Sequence, residues 1–143
     1  MENEYKRTCH DELNWVEVEQ LHSATIEISK NCFEYKKLCV SLLGVGAALI
    51  IKFFTEPFTS VNFGVALLIC VGFWLADSTA FYYQRSLRMA MNNRMNQIAS
   101  RNGVENYATK DITASKLQSL FNSSMTLYYA LIAIVILSWI TVV

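Results

Sequence analysis

The chain contains a single proline and five glycines among 143 residues. Both residues end or weaken helices, and neither occurs in the segments 12–37 and 74–99. The chain also lacks an excess of either charge, because 12 basic side chains balance 12 acidic ones. Without a net positive field we expect no direct nucleic-acid partner. The first 37 residues are polar and acidic, so we expect no secretory signal peptide.

Metal-binding and catalytic patterns are absent from the sequence as well. Adjacent side chains splay apart, so the run Cys9-His10-Asp11 is not expected to chelate a metal. The only other histidine, His22, lies in no nucleotide-binding or nucleophile-elbow context. We therefore predict that the protein is not an enzyme and holds neither cofactor nor metal. No Cys-x-x-Cys spacing links the four cysteines, which we expect to be reduced: Cys9, Cys32, Cys39 and Cys70.

Hydrophobic residues make up 53% of the chain and are gathered into three long runs. Runs of this length are typical of membrane spans. We predict an all-α membrane protein with three transmembrane helices. Segment 1–37 forms an N-terminal amphipathic cytoplasmic helix, and segment 77–124 a cytoplasmic helix with a connection. Segment 38–76 forms a transmembrane hairpin with spans at about 38–54 and 58–76, joined by a tight turn at 55–57, and 125–143 forms the third span.

The distribution of basic residues predicts the orientation in the membrane. Lysines precede the first span, and most of the arginines lie in the second connection, whereas the turn between the first two spans has only Lys52. The positive-inside rule then places the N-terminus and the second connection in the cytoplasm and the C-terminus outside. The basic residues behind this prediction are Lys30, Lys36, Lys37, Arg85, Arg88, Arg94, Arg101, Lys110 and Lys116.

The N-terminal helix carries a seam with alternating spacings of three and four residues, which is a heptad pattern. It packs either on another part of its own chain or, as a zipper, on another subunit. The seam consists of Val18, Leu21, Thr25, Ile28, Cys32 and Tyr35.

The stretch 73–88, FWLADSTAFYYQRSLR, passes from membrane-like to basic sequence without a helix breaker. We predict that the second span continues as a single helix into the cytoplasm and ends near Gly103, in the C′ position. The spacing of Ser115 and Gln118 predicts a capping box opening a helix that runs into the third span. The best anion contacts on the extended second helix, for lipid head groups, a nucleotide messenger or an acidic partner, are Arg85, Arg88 and Arg94.

Small residues recur within the first two runs and allow helices to approach closely in lipid, within the chain or between copies. They are Gly44, Ala48, Ala66, Gly72 and Ala76. Two polar residues are candidates for a gate or an assembly contact. Asn62 lies inside the second span, and Asp77 lies at its inner edge, where an acid is costly. The alternative for Asp77 is a structural ion pair with Lys36 or Lys37. No span has a full polar stripe, so a pore would need several chains.

The segments FWLADSTAFYYQRSLRMAMNNRM and LHSATIEISKNCFEYKKLC combine a charged helix, a membrane hairpin and a basic exit helix. In this respect residues 18–100 resemble the SLATT-like small membrane effectors of bacterial nucleotide-sensing anti-phage systems. The resemblance implies a homo-oligomer in the bacterial inner membrane that perturbs the bilayer when a soluble sensor or a nucleotide messenger triggers it. The third run is additional to the two-span plan of those effectors.

Three functions are therefore compatible with the sequence. The first is an oligomeric effector that forms a pore or disrupts the membrane. The second is a non-enzymatic anchor or scaffold that holds a soluble partner at the membrane. The third is a holin-like protein, although holins typically end in a basic tail and this sequence ends in the uncharged run 139–143.

Overall fold

A computed structural model describes residues 8–53, 59–104 and 112–142. Within these residues the chain is helical and contains no strand, which confirms the predicted fold class at this level. The elements are α1 (Cys9–Phe53), α2 (Ser60–Arg101), α3 (Lys116–Leu120), a 3-10 turn (Ser123–Met125) and α4 (Thr126–Val142). The predicted turn at 55–57 lies outside the described residues.

Helices α1 and α2 form a long antiparallel hairpin. Asp11 near the start of α1 contacts Arg101 at the end of α2, and Lys36 farther along α1 contacts Asp77. With 45 residues, α1 is about 67 Å long, so the hairpin is longer than a bilayer is thick. Both helices continue without a break across the predicted boundary between cytoplasmic and membrane segments. The unbroken helix predicted for α2 is confirmed, and α1 is equally unbroken.

The two helices meet along rows of buried residues spaced by seven. The row in α1 is Asp11, Val18, Thr25, Cys32 and Cys39. The row in α2 is Phe63, Cys70, Asp77, Gln84 and Ile98, with the half-buried Met91 at the intermediate position. A strict seven-residue repeat is the pattern of a left-handed coiled coil. The remaining seam residues, Leu21, Ile28 and Tyr35, are half-buried, and α1 packs on α2 of the same chain.

The C-terminal end of α2 has the predicted glycine cap. Gly103 has a φ of +66°, which a side chain would disfavour. The amide N–H of Val104 donates to the carbonyl of Ala99, and that of Gly103 donates to the carbonyl of Ser100. This pair of hydrogen bonds is the Schellman arrangement and ends the helix firmly.

The predicted single helix from Ser115 into the third span is wrong in one detail, because it is interrupted at Phe121 and Asn122. The Asn122 side chain accepts a hydrogen bond from the N–H of Ser124 and starts the 3-10 turn that leads into α4. Asparagine and serine compete with helix in this way and favour caps. The predicted capping box does not form either, since Ser115 occupies the N-cap without a side-chain hydrogen bond.

Helix α4 packs on α2 rather than mainly on α1. Near its end, the ring of Trp139 stacks on Phe63, with centroids 6.4 Å apart. Closer to the polar half, Tyr129 meets Trp74 edge to face at 6.0 Å. The structure is therefore a two-helix rod with a third helix along one end.

Among the described residues, two helical segments are long and apolar enough to cross a membrane: Ser60–Arg101 and Lys116–Val142. The apolar part of α1 is shorter and flanked by Lys36, Lys37 and Lys52, and it is not among these segments. The first predicted span, 38–54, and with it the total of three spans therefore stay predictions. Large apolar side chains on the apolar half are highly exposed, including Val61, Leu68 and Ile140 at 72 to 74%. Surface of this kind marks contact with lipid or with other protein.

Candidate functional site

The candidate site is a buried ion pair at the level where the hairpin changes from apolar to polar. The ammonium of Lys36 lies 2.5 Å from Oδ2 of Asp77, and the Asp77 residue is fully buried. Lys36 Nζ also donates to the carbonyl of Cys32, one turn earlier, at 3.4 Å. The pair therefore joins α1 to α2 inside the protein rather than at its surface.

Helix α4 completes the junction with Tyr128, whose residue is fully buried. The Lys36 ammonium lies 5.9 Å from the centre of the Tyr128 ring, within the range of a cation–π contact. Three buried oxygen atoms have no hydrogen-bond partner among the described residues: Asp77 Oδ1, Ser78 Oγ and Tyr128 Oη. Most buried polar atoms in proteins are paired, so these three oxygens mark the least satisfied part of the described core.

An apolar cluster covers the apolar side of this junction. It consists of Cys39 from α1, Cys70 from α2, and Met125 and Tyr128 from the third-span segment, all fully buried. Eight further apolar side chains, from all three segments, are half-buried against these four residues. The ion pair is consequently held where all three helical segments meet.

Cys32 belongs to the same junction, one turn before Lys36. Burial of its thiol, followed by the nearby Asp77 carboxylate, raises the pKa of Cys32 to about 12. A thiol with such a pKa stays protonated at neutral pH and is a poor nucleophile. Cys32 thus acts as a small packing residue here.

The segment before α4 is fastened at the same junction by one carbonyl group. Trp74 Nε1 donates to the carbonyl of Leu120 at 3.2 Å, and the hydroxyl of Tyr129 donates to the same oxygen at 2.5 Å. An edge-to-face contact of Trp74 with Phe121, at 6.4 Å, adds to this attachment. The end of α3 is therefore bound to both α2 and α4.

Polar contacts continue along the rod toward its free end. Gln84 donates to the Ser29 hydroxyl, and Arg94 forms an ion pair of 2.9 Å with Glu17. A further hydrogen bond of 3.4 Å joins Asn14 to Gln97. These contacts, spaced along both helices, fix the register of the polar half of the hairpin.

The last polar contact lies at the tip of the rod, around Asp11. Arg101 Nε and Nη2 lie 2.9 and 2.8 Å from its Oδ1, and Asn102 donates to Oδ2 at 3.2 Å. Thr8 caps α1 by accepting the N–H of Asp11 on its hydroxyl. Burial raises the pKa of the Asp11 carboxyl, but hydrogen bonds from Arg101, Asn102 and Thr8 outweigh burial, so the pKa is lowered from its ordinary value.

The three predicted anion-binding arginines differ in their surroundings. Arg94 is paired with Glu17 and belongs to the hairpin. Arg85 lies 6.0 Å from the centre of the Phe81 ring, and Arg88 is exposed. Arg85 and Arg88 are one turn apart on α2 and form the better candidates for an anionic contact.

The predicted small-residue positions do not bring the helices of one chain together. A methyl group built on Gly44 or Gly72 would meet nothing within 4 Å, and Ala48 and Ala76 are exposed. Only Ala66 is half-buried; like Gly44 and the half-buried Asn62, it lines a cleft between the helices. Their surfaces are therefore open to lipid or to other copies of the chain.

Sequence reasoning missed two residues of the site. Tyr128 lies in a long apolar run, where nothing marks it as the residue whose ring meets Lys36. The position of Asp11 could have been found from the sequence, because it precedes Val18 by seven residues and so continues the heptad spacing. It was not included because the seam was defined by its mainly apolar residues.

No group of three potential metal-ligating side chains is found in the described part of the chain. Comparison of the sequence and the structure with family models, curated proteins and solved structures gives no match. The resemblance to SLATT-like effectors therefore stays a prediction from the sequence.

Proposed function

We propose that the protein is a non-enzymatic effector of the bacterial inner membrane that works as a homo-oligomer. The hairpin and α4 span the bilayer, and the polar half of the rod stands in the cytoplasm. A soluble sensor or a nucleotide messenger acts on that half, and the assembled spans then open a pore or disrupt the membrane. This is the role of the SLATT-like effectors that the sequence resembles.

One observation carries the proposal: α1 and α2 are unbroken across the level where the chain changes from polar to apolar. An unbroken helix transmits tilt and rotation, whereas a flexible loop absorbs them. The Lys36–Asp77 pair joins the two helices at this level, so a movement of the cytoplasmic half reaches both spans together.

The open faces support assembly through other copies. Gly72 and Ala76 line a groove beside Tyr35 that no other helix of the described chain fills. Copies inserted in one direction meet at equal depth, so apolar surface faces apolar surface and polar faces polar. Small residues on such a face permit close helix contact in lipid.

The test is expression in bacteria with a dye that reports membrane potential, with and without phage infection. Depolarisation by the wild type supports an effector. Transmission of movement through the unbroken α2 is tested by replacing the exposed Met89 and Asn93 with glycine, because a pair of glycines softens a helix without shifting the hairpin register. Alanine at both positions is the matched control. The glycine variant is expected to lose the response and the alanine variant to keep it. An equal response in both would contradict transmission through α2.

A second candidate, an anchor or scaffold for a soluble partner, is favoured by apolar side chains on the cytoplasmic half. Leu13 is 62% exposed and Phe33 60% exposed, in a region outside the predicted spans. Exposed apolar groups in water mark protein contacts. Replacing Leu13 and Phe33 with serine is expected to release a co-purifying soluble protein if the scaffold function holds, while membrane potential stays unaffected throughout.

A further inference from the structure

The apolar half of the protein contains a cleft of about 560 Å³ between α1, α2 and α4. Helix α2 forms its back wall, and α1 and α4 form its sides, because α4 packs on α2 rather than mainly on α1. Its volume is within the usual range for small-molecule pockets. We propose that this cleft binds one acyl chain of a membrane phospholipid. The inference rests on the membrane insertion assumed in the proposed function.

The length of the cleft fits an acyl chain from one leaflet. Its α1 wall runs from Val40 to Ile50, which is about 15 Å at the helical rise. The hydrocarbon core of a bilayer is about 30 Å thick, so one leaflet contributes about half of this. The cleft is therefore about as long as the hydrocarbon chains of one leaflet.

The floor of the cleft supports a chain end rather than a crossing helix. Leu43, Ile69 and Leu131 line the cleft and also pack against the buried cluster around Cys39 and Tyr128. This cluster closes the cleft toward the cytoplasmic side. A membrane-spanning helix from a second copy would have to continue across the whole bilayer. The cleft is closed at its floor and therefore offers such a helix no continuous contact surface.

The polarity of the cleft also changes in the direction expected for a lipid. The deep part is lined by aliphatic side chains, whereas Asn62 and Ser138 lie at the end away from the floor. This end is near the stacked rings of Phe63 and Trp139. An ester group of a phospholipid, at the top of its acyl chain, requires such polar neighbours near the interface.

The test uses Gly46, which lines the cleft and where an added Cβ would meet nothing within 4 Å. Gly46→Ala and Gly46→Leu fill the cleft in steps and favour the helix, so both variants should fold. Gly64→Leu is the matched control, because an added Cβ at Gly64 also meets nothing within 4 Å and Gly64 does not line the cleft. Each full-length variant is first shown by carbonate extraction to be integral to the membrane. Phospholipid retained after detergent washing is then counted by native mass spectrometry.

We expect the wild type and Gly64→Leu to retain a phospholipid per chain. Gly46→Ala should retain less, and Gly46→Leu at least fivefold less. Equal retention in all four proteins, no retention by the wild type, or a fatty-acid-sized adduct would overturn the proposal. A changed oligomer mass for Gly46→Leu with unchanged lipid would assign the cleft to a second copy instead. An integral protein without retained lipid refutes the lipid site alone, whereas a protein extracted by carbonate refutes the proposed function too.

Discussion

Lys36 and Asp77 form a buried ion pair between α1 and α2, whereas the adjacent Lys37 forms an exposed pair with Glu34 on its own helix. The two lysines are neighbours in sequence, but their ion pairs therefore contribute differently to the stability of the fold. Burial makes the first pair sensitive to the loss of either partner, because an unpaired charge inside a protein has no solvent to stabilise it. Solvent screens the second pair, which contributes little.

Replacing Asp77 by asparagine is expected to lower the free energy of unfolding by about 3 kcal/mol, because Lys36 loses its buried counter-charge. The measurement is denaturant unfolding in a mild detergent. Glu34→Gln is the matched control and should change the free energy of unfolding by at most about 1 kcal/mol. Equal effects of the two variants would contradict the buried pair as a structural element.

Replacing both partners tests whether the loss of stability comes from losing the ion pair or from leaving one buried charge unpaired. The double variant Lys36→Met with Asp77→Leu leaves no buried charge, so its stability should return to within about 1 kcal/mol of the wild type. If such a stable double variant no longer depolarises bacteria, the pair acts in the response and not only in folding. Retained depolarisation would limit Asp77 to a structural contact.

The carbonyl of Leu120 receives hydrogen bonds from both Trp74 and Tyr129, so removal of one donor is partly compensated by the other. Tyr129→Phe is expected to cost about 1 kcal/mol of unfolding free energy. Combining it with Trp74→Phe should cost more than the sum of the single variants, as a double-mutant cycle would reveal. Tyr83→Phe removes an exposed hydroxyl and should be neutral. Simple additivity would contradict a shared acceptor.

The raised pKa of Cys32, about 12, predicts slow reaction with a maleimide at pH 8. Exposed Cys9 is expected to react first, so a Cys9→Ser variant in membranes should remain unlabelled until it is denatured. Mass spectrometry of the labelled chain provides the readout. Rapid native labelling of Cys32 would place it outside the helix junction.

The lowered pKa of Asp11 predicts acid-sensitive fraying at the tip of the rod. Because the folded pKa lies below the ordinary value of 3.8, the stabilisation is complete above that pH and disappears as the pH falls through the lower folded value. Hydrogen exchange in residues 12–16 should therefore accelerate, after correction for intrinsic rates, only below about 3.8. Asp11→Asn should show raised exchange at all pH values, and a wild-type transition at higher pH would contradict the assigned contacts.

The helical fold and the continuity of α2 are predictable because they depend on local features. Long apolar runs, the absence of glycine and proline between 74 and 99, and the cap at Gly103 are all visible in the sequence. The break at Asn122 departs from the predicted continuous helix. Asn122 and the two serines that follow it favour a cap, and the apolar run after them had outweighed this local signal in the prediction.

The candidate site was only partly predictable, because long-range pairing decides it. Asp77 and its two lysine candidates were recognisable from depth alone, but register selects Lys36 over Lys37. Tyr128 could not be assigned, since its contact with Lys36 depends on how α4 rotates against the hairpin. The open faces of Gly44 and Gly72 likewise follow from helix rotation rather than from spacing.

The most direct test of the account is the mass of the full-length protein extracted into lipid nanodiscs, measured by mass photometry with electron-microscopy classes. A closed ring of several copies is the predicted result, because no polar stripe on one chain can line a pore. A monomer or dimer would contradict the effector mechanism and direct attention to a soluble partner on the cytoplasmic half.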